Sequence, residues 1–320
     1  MQRIILTIIA SFLFNNIHAT EKVNLDSLYH VLDAAIDSAE IFLQQKTQRI
    51  ETFKTELLSA KTDLERYHAA KKIYTEYIPF ENDSAITYQY LCMDLAKRNG
   101  RDDLMAVATI DLAKQLSNTG FYDEARTHLK EVPEKYLKGE LMIEYLQGMN
   151  NLYGEMSYYS HDPRLKNDFH QKAKSLRTTL LEKLDTTSVA WLNLNTILLN
   201  NADKTEEALR CCDKWMEACA PGTRDYAIMA YYRSEIYRKN NDVEMQRYWL
   251  ILSALTDIRN AIMDQGSLWS LANSLISEGQ DVERAHRYID FSWKCITRFS
   301  THMRSWLVAP VVTRINDEYK

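Results

Sequence analysis

The chain has 320 residues and a net charge of −5, with 39 basic and 44 acidic side chains mixed throughout. That leaves no basic stripe for nucleic acid and no polybasic patch for anionic lipid. Only 8 glycines and 5 prolines interrupt it, below the ~7% and ~5% of average usage. The frequent turns of a sheet-rich fold are therefore missing, and the expectation is an all-α fold of long helices with short connections.

The first residues read as an export signal. Arg3 gives a positive start, residues 4–14 form an apolar run, and Ile17-His18-Ala19 ends on a small residue suited to cleavage. Polar Asn15, Asn16 and His18 break the run where a core helix would continue. Residues 1–19 are thus assigned as a signal peptide, cleaved after Ala19. The run is too short for a ~20-residue membrane span and no later segment is long and apolar enough. No cysteine near the cleavage position offers a lipid anchor. The mature chain is expected to be soluble in the periplasm.

Residues 20–62 are expected to form a long N-terminal helix. Ile36, Ala39, Leu43, Ile50, Phe53 and Leu57 make an apolar seam interrupted by Lys46. It is either one helix or two with a slight kink. Its alternative roles are a cap on the following array or a dimerising coiled coil.

From residue 63 to 320 the chain alternates helix, short break and helix, with a period of roughly 35 to 48 residues. The clearest unit carries Leu112-Ala113, Leu116, Gly120-Phe121-Tyr122, Glu124-Ala125 and Leu129, which is the tetratricopeptide (TPR) pattern of a large-small pair, a Gly-x-Tyr turn and a second small residue. Small residues are needed because antiparallel helices approach closely only where a side chain is little more than a methyl group. Weaker copies are marked by Ser84-Ala85, Ala173, Ala208 and Ser234 with Tyr237. A last good copy carries Leu271-Ala272, Gly279 and Arg284-Ala285. The expectation is about six helix pairs stacked into one extended TPR-like α-solenoid.

Catalytic signals are sparse. Glu65-Arg66-Tyr67-His68 and Glu283-Arg284-Ala285-His286 have the Glu-x-x-His spacing of di-iron bundles, but they lie near opposite ends of the array. The five cysteines, Cys92, Cys211, Cys212, Cys219 and Cys295, are odd in number and embedded in helical patterns, as small core residues would be. No His-Glu-x-x-His, Gly-x-Ser-x-Gly, phosphate loop or Cys-x-x-Cys occurs. The chain is read as non-catalytic, with no cofactor and no metal.

The 19 tyrosines cluster around residues 145–159 and 226–237. Most suit packing positions, and some could line an inner groove, where tyrosine gives a large contact area at low entropic cost. In the two units with the clearest register, the positions predicted to face that groove are Val107, Ile110, Lys114, Ser117 and Asn118, then Ile228, Tyr231, Glu235, Arg238 and Lys239. Tyr231, Glu235, Arg238 and Lys239 are the candidate ligand-binding residues, because an aromatic ring beside charges of both signs suits a peptide or polar ligand. The plain alternative is a solvated face with an i, i+4 pair between Glu235 and Lys239.

Further matches sit at Leu25-Asp26-Ser27-Leu28, Ile36, Lys46, Arg49-Ile50, Glu76-Tyr77, Asp83-Ser84-Ala85, Tyr88, Leu252-Ser253-Ala254, Asp257-Ile258-Arg259, Ser267-Leu268 and Tyr288-Ile289. On these residues, over about positions 25–319, the chain resembles the periplasmic helical region of TPR-containing transmembrane regulators common in Bacteroidetes, whose C-terminal domain is of unknown function. The resemblance implies an exported sensor region that a membrane helix, a coiled coil and a cytoplasmic output domain would follow, and the chain is read as a sensor-like or scaffold component that recognises a peptide, protein or envelope-derived ligand, with a membrane-anchored regulator as an expected associate. The resemblance supplies no ligand and no catalytic residue. The sequence stops at Lys320, where the family's membrane helix would follow, so the expectation is a truncated or divergent paralogue, or the sensor half of a split pair, without cytoplasmic output of its own. Two other readings are an adaptor for outer-membrane glycan uptake and a metal-dependent enzyme using the Glu-x-x-His motifs.

Overall fold

The computed structural model describes residues 24–319 apart from Gln280; the expected signal peptide and the expected cleavage after Ala19 lie outside the described residues. Those residues form fifteen α-helices and no strand. Two N-terminal helices, α1 (Leu25–Asp37) and α2 (Ala39–Ser59), precede six antiparallel pairs. The pairs are α3 (Asp63–Tyr77) with α4 (Asn82–Arg98), α5 (Asp102–Thr119) with α6 (Tyr122–Glu131), and α7 (Gly139–Tyr159) with α8 (Pro163–Lys183). They continue with α9 (Val189–Asn201) and α10 (Thr205–Ala218), α11 (Arg224–Lys239) and α12 (Val243–Arg259), and α13 (Ser267–Ser277) and α14 (Val282–Phe299). A last helix, α15 (His302–Tyr319), follows.

Local chemistry sets the helix boundaries. Thr62 and Glu65 form a reciprocal capping box: the Thr62 hydroxyl accepts from the Glu65 N–H at 3.2 Å, and the Glu65 carboxylate accepts from the Thr62 N–H at 3.0 Å. Asp162 caps α8 ahead of Pro163, whose missing N–H costs nothing at the first helical position. The small residues of the repeat pattern pack between helices: Ala85, Ala113, Ala125, Ala208, Ala272 and Ala285 are all fully buried.

Of the two expectations for the N-terminal segment, one helix or two, the fold has two, broken at Ser38, and the break lets the halves pack on different partners. Helix α2 follows α3. Lys46, which interrupts the apolar seam in sequence, is buried on that seam and satisfied by Glu76 at 2.6 Å. Helix α1 instead packs on the end of the array, placing Leu28, Tyr29, Leu32 and Ala35 in one core with Leu250, Ala254, Leu271, Ala285 and Tyr288. Asp33 accepts from the Tyr288 hydroxyl at 2.8 Å and pairs with Arg284 at 3.3 Å, and Asp37 pairs with Arg287 at 2.6 Å.

The array is therefore not an open rod in which each pair meets only its neighbours. The N–H groups of Met263 and Asp264, after α12, both donate to the carbonyl of Pro79 between α3 and α4, at 2.7 and 3.2 Å. Phe80, Tyr77 and Ile73 share a core with Cys295 and Phe299. At Gly120, with φ of 93°, a Cβ would lie 2.7 Å from Met303 of α15, so this turn needs glycine for both its backbone and its neighbour. First and last pairs meet, and the superhelix closes on itself.

Candidate ligand-binding surface

Helix α11 begins at Thr223, whose hydroxyl accepts from the Tyr226 N–H at 3.3 Å. It buries Ala227, Ala230, Ser234 and Ile236 between its neighbours. Turning those residues inward leaves Tyr231, Glu235 and Arg238 as a stripe on the other side. Arg238 and Glu235 form a forked ion pair, Nη2 to Oε2 at 2.8 Å and Nε to both carboxylate oxygens at 3.0 and 3.2 Å. The Glu235–Lys239 pair of the plain alternative is not made: Glu235 pairs with Arg238 and Lys239 with Asp203. Lys239 points elsewhere, donating to the Asn200 carbonyl and to Asp203, both at 2.6 Å, and so ties α11 to the turn between α9 and α10. Three of the four candidate residues come together and the fourth does not.

Tyr231 is mostly buried. Its ring lies against Gly266, where an added Cβ would sit 3.4 Å from it, and it packs on the core that holds α1. The other predicted groove set fares less well. Ile110 and Ser117 are fully buried because α7 lies along that side of α5. Asn151 of α7 donates to the Lys114 carbonyl and to Asn118, at 3.2 and 2.9 Å. The next pair occupies the face expected to line the groove.

Side chains from other helices add to this region, and of them only Tyr158 and Tyr159 belong to a cluster picked out in the sequence. Arg304 of α15 donates to Asp264 at 2.9 Å, to Glu155 at 3.4 Å and to the Tyr159 hydroxyl at 2.5 Å, joining α15, the α12–α13 loop and α7. Burial pushes the Glu155 carboxyl up to about 7, with Arg304 opposing and Asp264 adding to the effect. Tyr158 is 54% exposed, and desolvation raises its hydroxyl's pKa, with Arg304 opposing. Trp306 is 53% exposed and meets His161 edge-on at 4.8 Å. Arg177 of α8 is half-buried near Tyr232, and among the described residues its Nε has no hydrogen-bond partner. Burial lowers the Arg177 pKa, with Tyr232 opposing. The repeat pattern could not reveal these residues, because they meet only through closure.

The motifs weighed for metal chemistry have other employment. Glu65 is the capping-box carboxylate and His68 is exposed, while His286 stacks on Tyr319 at 4.1 Å. Among the described residues no three His, Cys, Asp or Glu side chains are grouped to hold an ion. All five cysteines are buried free thiols. Burial pushes Cys92, Cys212 and Cys295 up to about 12, away from thiolate reactivity.

An all-helical array of six pairs, with small residues at its crossings and a polar, aromatic concave face, defines a TPR-type interaction domain. The family model described as SusR N-terminal TPR domain matches residues 36–310. The chain belongs to that family, in agreement with its resemblance to the TPR region of Bacteroidetes regulators. Comparison with curated proteins returns no match.

Proposed function

We propose that the chain is the ligand-reading part of an exported, sensor-type or scaffold protein and that it binds a peptide, or another extended polar ligand of the envelope, on its concave surface. The observation that supports this reading is that Arg304 ties α15 to α7 and to the α12–α13 loop, beside the exposed rings of Tyr158 and Trp306, with the Glu235–Arg238 pair on α11 and the half-buried Arg177 on α8. Rings supply contact area, and charges fix a ligand's direction. Arg177 offers a guanidinium to a carboxylate or carbonyl. A ligand spanning these residues would bridge α7, α8, α11 and α15, so its binding would couple the middle of the array to its last helix. A membrane-anchored regulator is the natural recipient of that coupling.

Panning a short-peptide library against the purified mature protein, followed by calorimetry on Arg177→Gln and Arg238→Ala, tests the reading. Selected peptides should lose roughly tenfold in affinity in either variant. Unchanged affinity in two folded variants would remove the concave surface from consideration. Glycan binding is the second reading, favoured by the exposed Tyr158 and Trp306 rings; it predicts binding of oligosaccharides that depends on Trp306 and is indifferent to Arg177. Periplasmic placement is proposed from the first nineteen residues, and N-terminal sequencing of the exported protein should begin at Thr20.

A further inference from the structure

At Ser38 the chain passes from α1 to α2, and α2 leaves the array to follow α3. A wedge opens there between α2, the end of α12 and α14. It is a cleft of about 570 Å³, within the range of small-molecule sites, and it shares no residue with the concave surface described above. Leu43, Ile258, Ile262, Met263, Phe291 and Trp293 make its walls apolar. Gln265 and Cys295 line it too, but both are buried, and the Gln265 amide lies within hydrogen-bonding reach of the Cys295 thiol. With under 1 Å² of Gln265 Oε1 accessible, the depth of the cleft offers a ligand no polar contact. Whatever fills it must be apolar along the length that it buries.

The charges stand at the mouth. Arg298 is exposed there, and its guanidinium lies over the Phe80 ring, 4.8 Å from the centroid. A cation–π contact consumes no hydrogen bond, and among the described residues Arg298 has no ion-pair or hydrogen-bond partner, so its planar fork of donors is open to an anion. Lys294 adds a second cation, held by Asp290 at 2.7 Å, and Glu40 is the one anion in the lining. That balance favours a negative head, while Glu40 opposes a second negative charge on it. Gln44, Thr47 and Gln48 form a polar shelf that shares Glu40, Leu43 and Arg298 with the mouth, where the head can stay hydrated.

We propose that this cleft binds a free medium-chain carboxylate: an unbranched alkyl chain ending in one carboxylate. The chain fills the wedge, and the carboxylate takes two donors of Arg298. An apolar side chain of a second copy would also cover the walls, but it would leave the guanidinium at the mouth unanswered. This site does not rest on the concave-face reading, and either can fail without the other.

Calorimetry with octanoate, hexanoate, octylamine and octanol tests it on the wild type, Arg298→Gln and Thr297→Trp, alongside sedimentation of the wild type and Thr297→Trp. Octanoate should bind one per chain. Hexanoate, shorter by two methylenes, should bind roughly tenfold more weakly. Octylamine, with the opposite charge, should also fall about tenfold below octanoate. Arg298→Gln, a change at an exposed side chain, should bring octanoate down to the affinity of octanol or below. Thr297→Trp, which sets a ring at the exposed rim, should abolish binding. The wild-type titrations need no variant to fold: no binding of octanoate at millimolar concentration overturns the proposal, and so does octylamine binding as tightly as octanoate. A preference for octanoate over octanol that survives Arg298→Gln overturns it too. So does a wild-type dimer that Thr297→Trp dissociates, because a second copy then occupies the cleft.

Discussion

Helices α8 and α12 are each the second member of a pair, yet α8 buries only Ala173 and Leu180 in 21 residues, whereas α12 buries eleven of its 17. The difference is what surrounds them. Helix α8 lies between α7 and α9 with its outer face in water, as the second helix of a stacked repeat does. Helix α12 has α11 and α13 beside it and α1 laid across its outer face. Closure has turned a surface helix into a central one. Its buried side chains consequently include Arg247, Ser253, Thr256 and Asp257 as well as Trp249, Leu250 and Ile251.

The largest effect should come from breaking the element that makes the two helices differ. Leu32→Ala on α1 empties a fully buried position in the core shared with α12 and α14, and a loss of ~2–5 kcal/mol is expected in urea unfolding. Overpacking comes next. Ala285→Leu and Ala125→Leu, at closed helix crossings, should each cost ~1–3 kcal/mol. A loss near zero at Ala125 would mean the crossing there is looser than its complete burial implies. Tyr231→Ala, which would be mild at an open groove position, should be of the same order because the ring packs against Gly266.

A third test uses charge. Burial raises the Asp257 carboxyl from its ordinary 3.8 to about 8, with Arg224 opposing and Asp264 reinforcing. The folded chain then holds a proton that the unfolded chain releases, so this contribution to stability is full below pH ~4 and is lost as pH rises through ~8. Burial of Glu155 acts with the same sign up to about 7. Asp257→Asn should flatten this decline and gain on the order of 1–3 kcal/mol at pH 8, read from unfolding midpoints across pH 4–8. A variant that follows the wild-type pH profile would mean that Asp257 does not carry the proton. The smallest effect belongs to Arg238→Ala. Its i, i+3 pair with a partly exposed Glu235 should contribute under ~0.5 kcal/mol to stability.

Much of the fold was legible because the TPR pattern is local. Ala113, Gly120, Ala125 and Ala285 each report a crossing or turn between neighbours, and six pairs follow from them. Closure was not legible. Asp33 and Tyr288 are 255 positions apart, and no periodicity connects them. Lys46 illustrates the same limit: in sequence it breaks an apolar seam, while in the fold Glu76 makes it part of that seam. The candidate site was half legible for this reason. Helical spacing was enough to align Tyr231, Glu235 and Arg238, but Arg304, Tyr158 and Trp306 join them only because α15 reaches back to α5 and α7. Lys239 leaves the stripe because one further residue along α11 turns its side chain toward the turn between α9 and α10.

Hydrogen exchange on the wild type and on Leu32→Ala tests closure most directly. In the wild type, amides of α12 should be among the most protected in the chain and those of α8 should open locally and exchange far sooner. In Leu32→Ala, protection should fall across residues 243–259 and 282–299, more than 200 positions from the substitution, while α8 is unchanged. A loss confined to residues 25–59, with α12 as protected as before, would contradict a superhelix held shut by its first helix.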